Sequence, residues 1–182
     1  MKTIVIVLLT IIIILSAISA IYIILYNKLQ FAKIRIEEAE KVILEELQNR
    51  FDLIMKAKPT IEKNTKMDLS IFSELEKSKR SNVSSYDFDK KITESIATIH
   101  TILNDYPKLD EKKEFTEIIR KLEESDTKIN AAKDFYNKNN SVLILMIRKF
   151  PSNIVALIHK INIQPFYDAK EIFNELDDGI KI

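Results

Sequence analysis

Two histidines, His100 and His159, and three adjacent acid pairs, Glu37-Glu38, Glu45-Glu46 and Glu123-Glu124, are the residues of this chain best suited to proton transfer or metal binding. Their spacing argues against both roles. A carboxylate dimetal site in a helical bundle needs Glu-x-x-His on two helices, and the residues three before His100 and His159 are Ala97 and Ala156. Successive residues on a helix point about 100° apart, so the two acids of a pair do not converge on one proton, and nearby Lys and Arg neutralise them as on a solvated face. The chain has no cysteine, which removes thiolate nucleophiles, thiolate ligands and disulfides together. One glycine, Gly179, cannot build a phosphate-cradling loop. The expectation is a protein that is not an enzyme, with no catalytic residue, no cofactor and no metal.

The dominant element is the stretch from Thr3 to Tyr26, which holds no charged residue. As a helix rising about 1.5 Å per residue it spans roughly 36 Å, against a hydrocarbon core of about 30 Å. Its 16 Ile, Leu and Val residues, at about −0.3 to −0.6 kcal/mol each, favour insertion by roughly 5–10 kcal/mol. This predicts a single transmembrane helix over residues 3–26, behind a two-residue flank. A cleaved signal peptide, with Lys2 as its basic end and Ser16, Ala17, Ser19 and Ala20 as its cleavage site, is the rival reading. It fits less well, because the apolar run continues through Ile21-Tyr22-Ile23-Ile24-Leu25. Lys28, Lys33 and Arg35 outnumber Lys2, and that asymmetry leans toward a cytoplasmic C-terminal domain.

One Gly and four Pro leave little with which to make hairpins, so the remainder is read as all-α. A net charge of +1 offers no overall basic field for nucleic acid. Apolar residues at Ala32, Ile36, Ala39, Ile43, Leu47, Phe51 and Ile54 continue the anchor as an amphipathic helix. Pro59 is expected to break or kink it, with Thr60 capping a second helix that carries Ile61, Leu69, Phe72 and Leu75. After a linker over 78–85, Ser84 and Asp87 form a capping box for a third helix bearing Phe88, Ile92, Ile96, Ile99, Leu103 and Tyr106, closed by Pro107. From Asp110-Glu111 a fourth helix carries a seam of Phe115, Ile118, Leu122, Ser125, Ile129, Ala132, Tyr136, Asn139, Leu143, Met146 and Phe150. Its polar positions, Ser125 and Asn139, read as register devices. The expected architecture is an antiparallel, up-and-down bundle of four helices over 27–150. Short helices and a tail follow over 151–182: a piece over 154–163 capped by Ser152 or Asn153, then Phe166 to Leu176 ended by Asp177-Asp178-Gly179. The segment Ile154–Ile158 with Lys160 either touches the lipid surface or packs across the bundle end.

In order and spacing, Tyr26-Asn27-x-Leu29, Arg50-x-Asp52-Leu53-Ile54, Tyr106-Pro107-x-Leu109, Phe115, Leu122, Ile129, Tyr136-Asn137, Phe150-Pro151-x-Asn153 and Pro165-Phe166 resemble the LemA family of bacterial membrane proteins. The resemblance covers nearly all of the chain. It implies one N-terminal transmembrane helix in the bacterial cell membrane, an antiparallel helical bundle, and no established biochemical activity. It singles out Tyr26, Asn27, Arg50, Asp52, Tyr106, Pro107, Asp126, Tyr136, Asn137, Phe150, Pro151 and Asn153 as motif residues of structural rather than catalytic kind. Departures are Met55 where the family has Pro, Lys133 where it has Arg, and Leu143-Ile144 where it has a second Tyr-Asn. The function this reading favours is a membrane-anchored scaffold or adaptor that recruits another protein, with self-association left open. The alternative is a small-ligand binder or enzyme with a polar site inside the bundle, drawing on Arg50, Asp126, Tyr136 and Asn137. A scaffold should show a packed core and an exposed patch, a binder a polar cavity.

Overall fold

Helical periodicity is realised as helix α1 (Lys2–Asn64), α2 (Ser70–Arg80), α3 (Ser85–Asp105), a 3-10 turn (Pro107–Leu109), α4 (Lys113–Arg148) and α5 (Ser152–Ile158). These are the elements of a computed structural model that describes residues 2–67, 69–81 and 83–167, and no strand occurs among the described residues. The amphipathic piece expected to start at Phe166 falls, from residue 168 onward, outside the described residues, as does Gly179. The chain forms two compact units, Met1–Glu37 with Asn137–Pro165 and Glu38–Tyr136 with Phe166–Ile182, and α1 and α4 contribute to both.

The larger unit is a helical bundle whose direction is set by its pairs. Lys58 meets Glu76 at 2.9 Å and Asp52 lies 3.9 Å from Lys79, so α2 runs antiparallel to α1. Asn64 accepts from Lys112 at 2.7 Å, Arg50 reaches Asp126, and Glu46 lies 3.7 Å from Lys128, so α4 also runs antiparallel to α1. Asp89 pairs with Lys133 while His100 and Leu122 line one cleft, which makes α3 antiparallel to α4. The four helices therefore alternate up and down. Every member of the α1 stripe from Ala32 to Ile54 is buried, and the same face extends to Leu29, Ala57 and Ile61. On α4 the seam is buried from Phe115 through Leu143.

Pro59 neither ends α1 nor opens a helix at Thr60. It lies on the exposed side, where the carbonyl deprived of an N–H partner can meet water. Ala57 and Ile61 are fully buried on either side of it along the chain, and that burial holds the backbone helical. The helix stops where side chains satisfy its last carbonyls: Asn64 Nδ2 bonds to Thr60 O and Thr65 Oγ1 to Ile61 O. Helix α2 then runs on to Arg80, so Ser78, expected in the linker, is buried within it. The capping box is present: Ser84 Oγ accepts from the Asp87 N–H at 3.1 Å and donates to Asp87 Oδ2 at 2.6 Å.

Three expectations are corrected. The buried face of α3 is Asp89, Ile92, Ser95, Ile99 and Ile102, rotated from the expected stripe because Asp89 turns inward to a cation. Phe150 is 73% exposed, because α4 ends at Arg148 and the residue before a proline is driven out of helical geometry. Ser152 does not cap α5; its hydroxyl donates to the Met146 and Lys149 carbonyls at 2.6 and 2.7 Å and so closes the end of α4.

Candidate functional site

In the bundle unit, Arg50 is a permanent cation only 4% exposed, so most of its hydration is lost. Its Nη2 donates to Asp126 Oδ1 at 2.7 Å, and Asp126 Oδ2 accepts from Asn130 at 3.2 Å. The Asp126 side chain is 56% exposed, so the pair is wet at one end. Arg50 Nε is buried and unpartnered. Arg50, Thr93, Ala97, His100, Glu123 and Asp126 line an open cleft of about 360 Å³. One turn away Glu46 accepts from Ser125 at 2.9 Å, so this polar seam residue does join two helices. Asp52 instead faces outward, accepting from Gln48 at 2.8 Å.

A second polar cluster lies in the same unit and was missed from sequence. Asp89 and Lys133 form an ion pair at 2.5 Å, and Lys133 Nζ lies 5.1 Å from the Tyr167 ring centre. The fully buried Tyr167 meets Tyr136 edge-on at 6.0 Å and Tyr86 at 6.5 Å. An Asp three residues before Ile92, on the same helix face, was the one available signal. Burial, and next the charge of Glu40, pushes the Tyr136 phenol up to about 12. A group whose folded pKa is raised contributes stability below its unfolded value, near 10, and loses it as pH rises through the folded value. Wild type should therefore lose stability from about pH 10 upward more steeply than Tyr136→Phe, as read by thermal unfolding in a pH series.

Asp89 Oδ1 has no hydrogen-bond partner, because the single Lys133 ammonium meets only Oδ2. A guanidinium can bridge both oxygens of a carboxylate. Lys133→Arg should raise stability by about 1 kcal/mol in denaturant unfolding; a loss of stability would show that the site lacks room for the planar group.

In the smaller unit, Tyr22 and His159 Nε2 share a hydrogen bond of 2.7 Å, and the Tyr26 ring lies 4.4 Å from that imidazole. Buried Asn140 donates to the carbonyls of Gln164 and Pro165 at 2.8 and 3.0 Å, which ties down the segment after α5. Asn27 is exposed, and Asn153 accepts from the Ile154 N–H through its own side chain. The Asn137 carbonyl accepts from Ser141. Tyr106 caps α3 and Pro107 opens the 3-10 turn, where both border a surface hollow of about 620 Å³ with Asn64 and Lys112.

The structure thus brings together Arg50 and Asp126 but gives Tyr136 to a different cluster, so the polar site suggested by sequence is not assembled as one. No group of three metal-ligating side chains occurs among the described residues. Glu37 and Glu45 form i,i+4 pairs with Lys33 and Lys41, and Glu124 pairs with Arg120. The profile of the LemA family matches residues 39–177. No curated protein matches the chain.

Proposed function

The chain belongs to the LemA family, and from that premise we propose a membrane-anchored, non-enzymatic scaffold or adaptor that holds a rigid helical bundle beside the bacterial cell membrane for another protein to bind. One observation carries this reading. Residues 3–21 are exposed and free of charge on all sides of α1, whereas the polar residues inside the bundle are largely committed to one another. A helix apolar all round needs lipid. Arg50, Asp126, Asp89 and Lys133 sit as structural ion pairs rather than as groups converging on a substrate.

An exposed, mostly apolar hollow on the bundle suits a protein partner: Ala39, Val42, Ala131, Ala132 and Phe135, with Glu38 and Lys128, line about 470 Å³ between α1 and α4. Photoreactive side chains at Val42 and Ala131 in intact membranes should capture a specific protein more strongly than one at Thr101. Equal, unspecific capture at all three would sink the adaptor reading. The small-ligand alternative has one point in its favour, the unpartnered Arg50 Nε beside the 360 Å³ cleft. A ligand-induced rise in melting temperature that disappears in Arg50→Met would favour it.

The bundle faces the cytoplasm in this proposal, with Lys28, Lys33 and Arg35 as retained positive flank. External protease on sealed cells should leave residues 28–182 intact, and their digestion without lysis would reverse the assignment.

A further inference from the structure

Helix α5 turns 96° from α4 and is inside out for a water-facing helix. Its buried residues are the small Ser152, Val155 and Ala156, while Ile154, Leu157 and Ile158, spaced by three and four, are 49%, 80% and 59% exposed. Phe150, immediately before, adds another bare ring. A contiguous outward stripe of large apolar residues marks a surface that something covers.

Three observations say what covers it. First, the Tyr22 to His159 hydrogen bond and the Tyr26 to His159 ring contact put the end of α5 beside the last turns of the charge-free stretch of α1. Residues 3–21 span roughly 28 Å, so this level is a bilayer surface, and Tyr is enriched there.

Second, on the α5 side of the apolar stretch, the unit that contains α5 holds seven basic residues, Lys28, Lys33, Arg35, Lys138, Arg148, Lys149 and Lys160, against one acid, Glu37. That acid is already paired with Lys33 at 3.5 Å. The near-neutral total of the chain therefore conceals a strongly basic unit.

Third, Lys160 has φ 51. It occupies the left-handed position after α5, where the Lys160 N–H bonds to Leu157 O and the Ile161 N–H to Ala156 O, a Schellman closure that favours glycine. That closure sets a positive charge at the end of α5 that bears Leu157 and Ile158.

We propose that α5 and its flanks lie on the bilayer that α1 crosses, with Phe150, Ile154, Leu157 and Ile158 among the acyl chains and Arg148, Lys149 and Lys160 on anionic phospholipid headgroups. This rests on the membrane-anchor reading, and the test separates the two. The cysteine-free chain accepts single labels cleanly. Full-length protein with an environment-sensitive fluorophore on Leu157→Cys is reconstituted in phosphatidylcholine vesicles with or without phosphatidylglycerol, using brominated acyl chains as quencher. Labels at Ile12→Cys, within the apolar stretch, and at Ile34→Cys, about 20 Å beyond Ile21 along α1, serve as references.

The label at 157 should be quenched about two-fold or more in anionic vesicles, while the label at 34 stays unquenched. Exchanging Arg148, Lys149 and Lys160 for Gln should weaken docking about five-fold per charge and cut the quenching to its level in neutral vesicles. A label at 157 as unquenched as that at 34, with the label at 12 quenched, overturns the proposal and leaves the anchor standing. If the label at 12 is also unquenched, the anchor itself fails. Quenching at 157 that ignores both lipid charge and the triple substitution overturns the headgroup contact.

Discussion

Replacing Leu9, Ile12 and Leu15 together by lysine should move the protein from the carbonate-resistant membrane fraction to the soluble one. Each substitution exchanges a contribution of about −0.3 to −0.6 kcal/mol for one of about +2.5 to +3.5 near the helix centre, so three amount to roughly 9–12 kcal/mol. That is comparable to or larger than the 5–10 kcal/mol by which the 16 Ile, Leu and Val residues favour insertion. The bundle should be spared, because residues 2–21 are exposed throughout and support no packing. Circular dichroism of the released variant should keep its helical signature and cooperative melt. Wild type washed off by carbonate, or a mature chain beginning after Ala20, would show that the N-terminal stretch is a removable signal.

Much of the fold was legible because it follows a period. The α1 stripe from Ala32 to Ile54 and the α4 seam from Phe115 to Leu143 repeat every three or four residues, and burial matches them residue by residue. The Ser84 and Asp87 box was legible for a different reason, since capping is settled within four residues. What failed needed distant partners. Local preference at Pro59 yields to burial of Ala57 and Ile61, and Asp89 turns inward only because Lys133 waits there. The seam pattern ran past its helix at Phe150, since periodicity carries no information about where α4 stops. Tyr167 lay in the last amphipathic piece, for which no partner could be named from the sequence, and it is fully buried against Tyr136. The basic unit around α5 was invisible to whole-chain charge because it is assembled from two stretches a hundred residues apart.

Asp89→Ala should be among the most damaging single changes in the bundle, costing about 3–5 kcal/mol. It strips the counter-charge from Lys133, whose side chain is only 20% exposed and whose ammonium lies 5.1 Å from the Tyr167 ring centre. A cation over an aromatic face recovers about 0.5–2 kcal/mol, less than the loss. Lys133→Met should cost a comparable amount by leaving the Asp89 carboxylate, 8% exposed, without its ammonium. The double variant Asp89→Ala, Lys133→Met should be markedly more stable than the two single losses added together would leave it, because it removes both charges at once. For a chain of this size about 3–5 kcal/mol corresponds to a fall in melting temperature of roughly 6–20 °C, largely restored in the double variant. Losses that simply add would mean the two residues act independently; single losses below about 1 kcal/mol would class the contact with ordinary surface pairs. Recovery in the double variant would show that the cost of each single change comes from leaving the other charge buried without its partner.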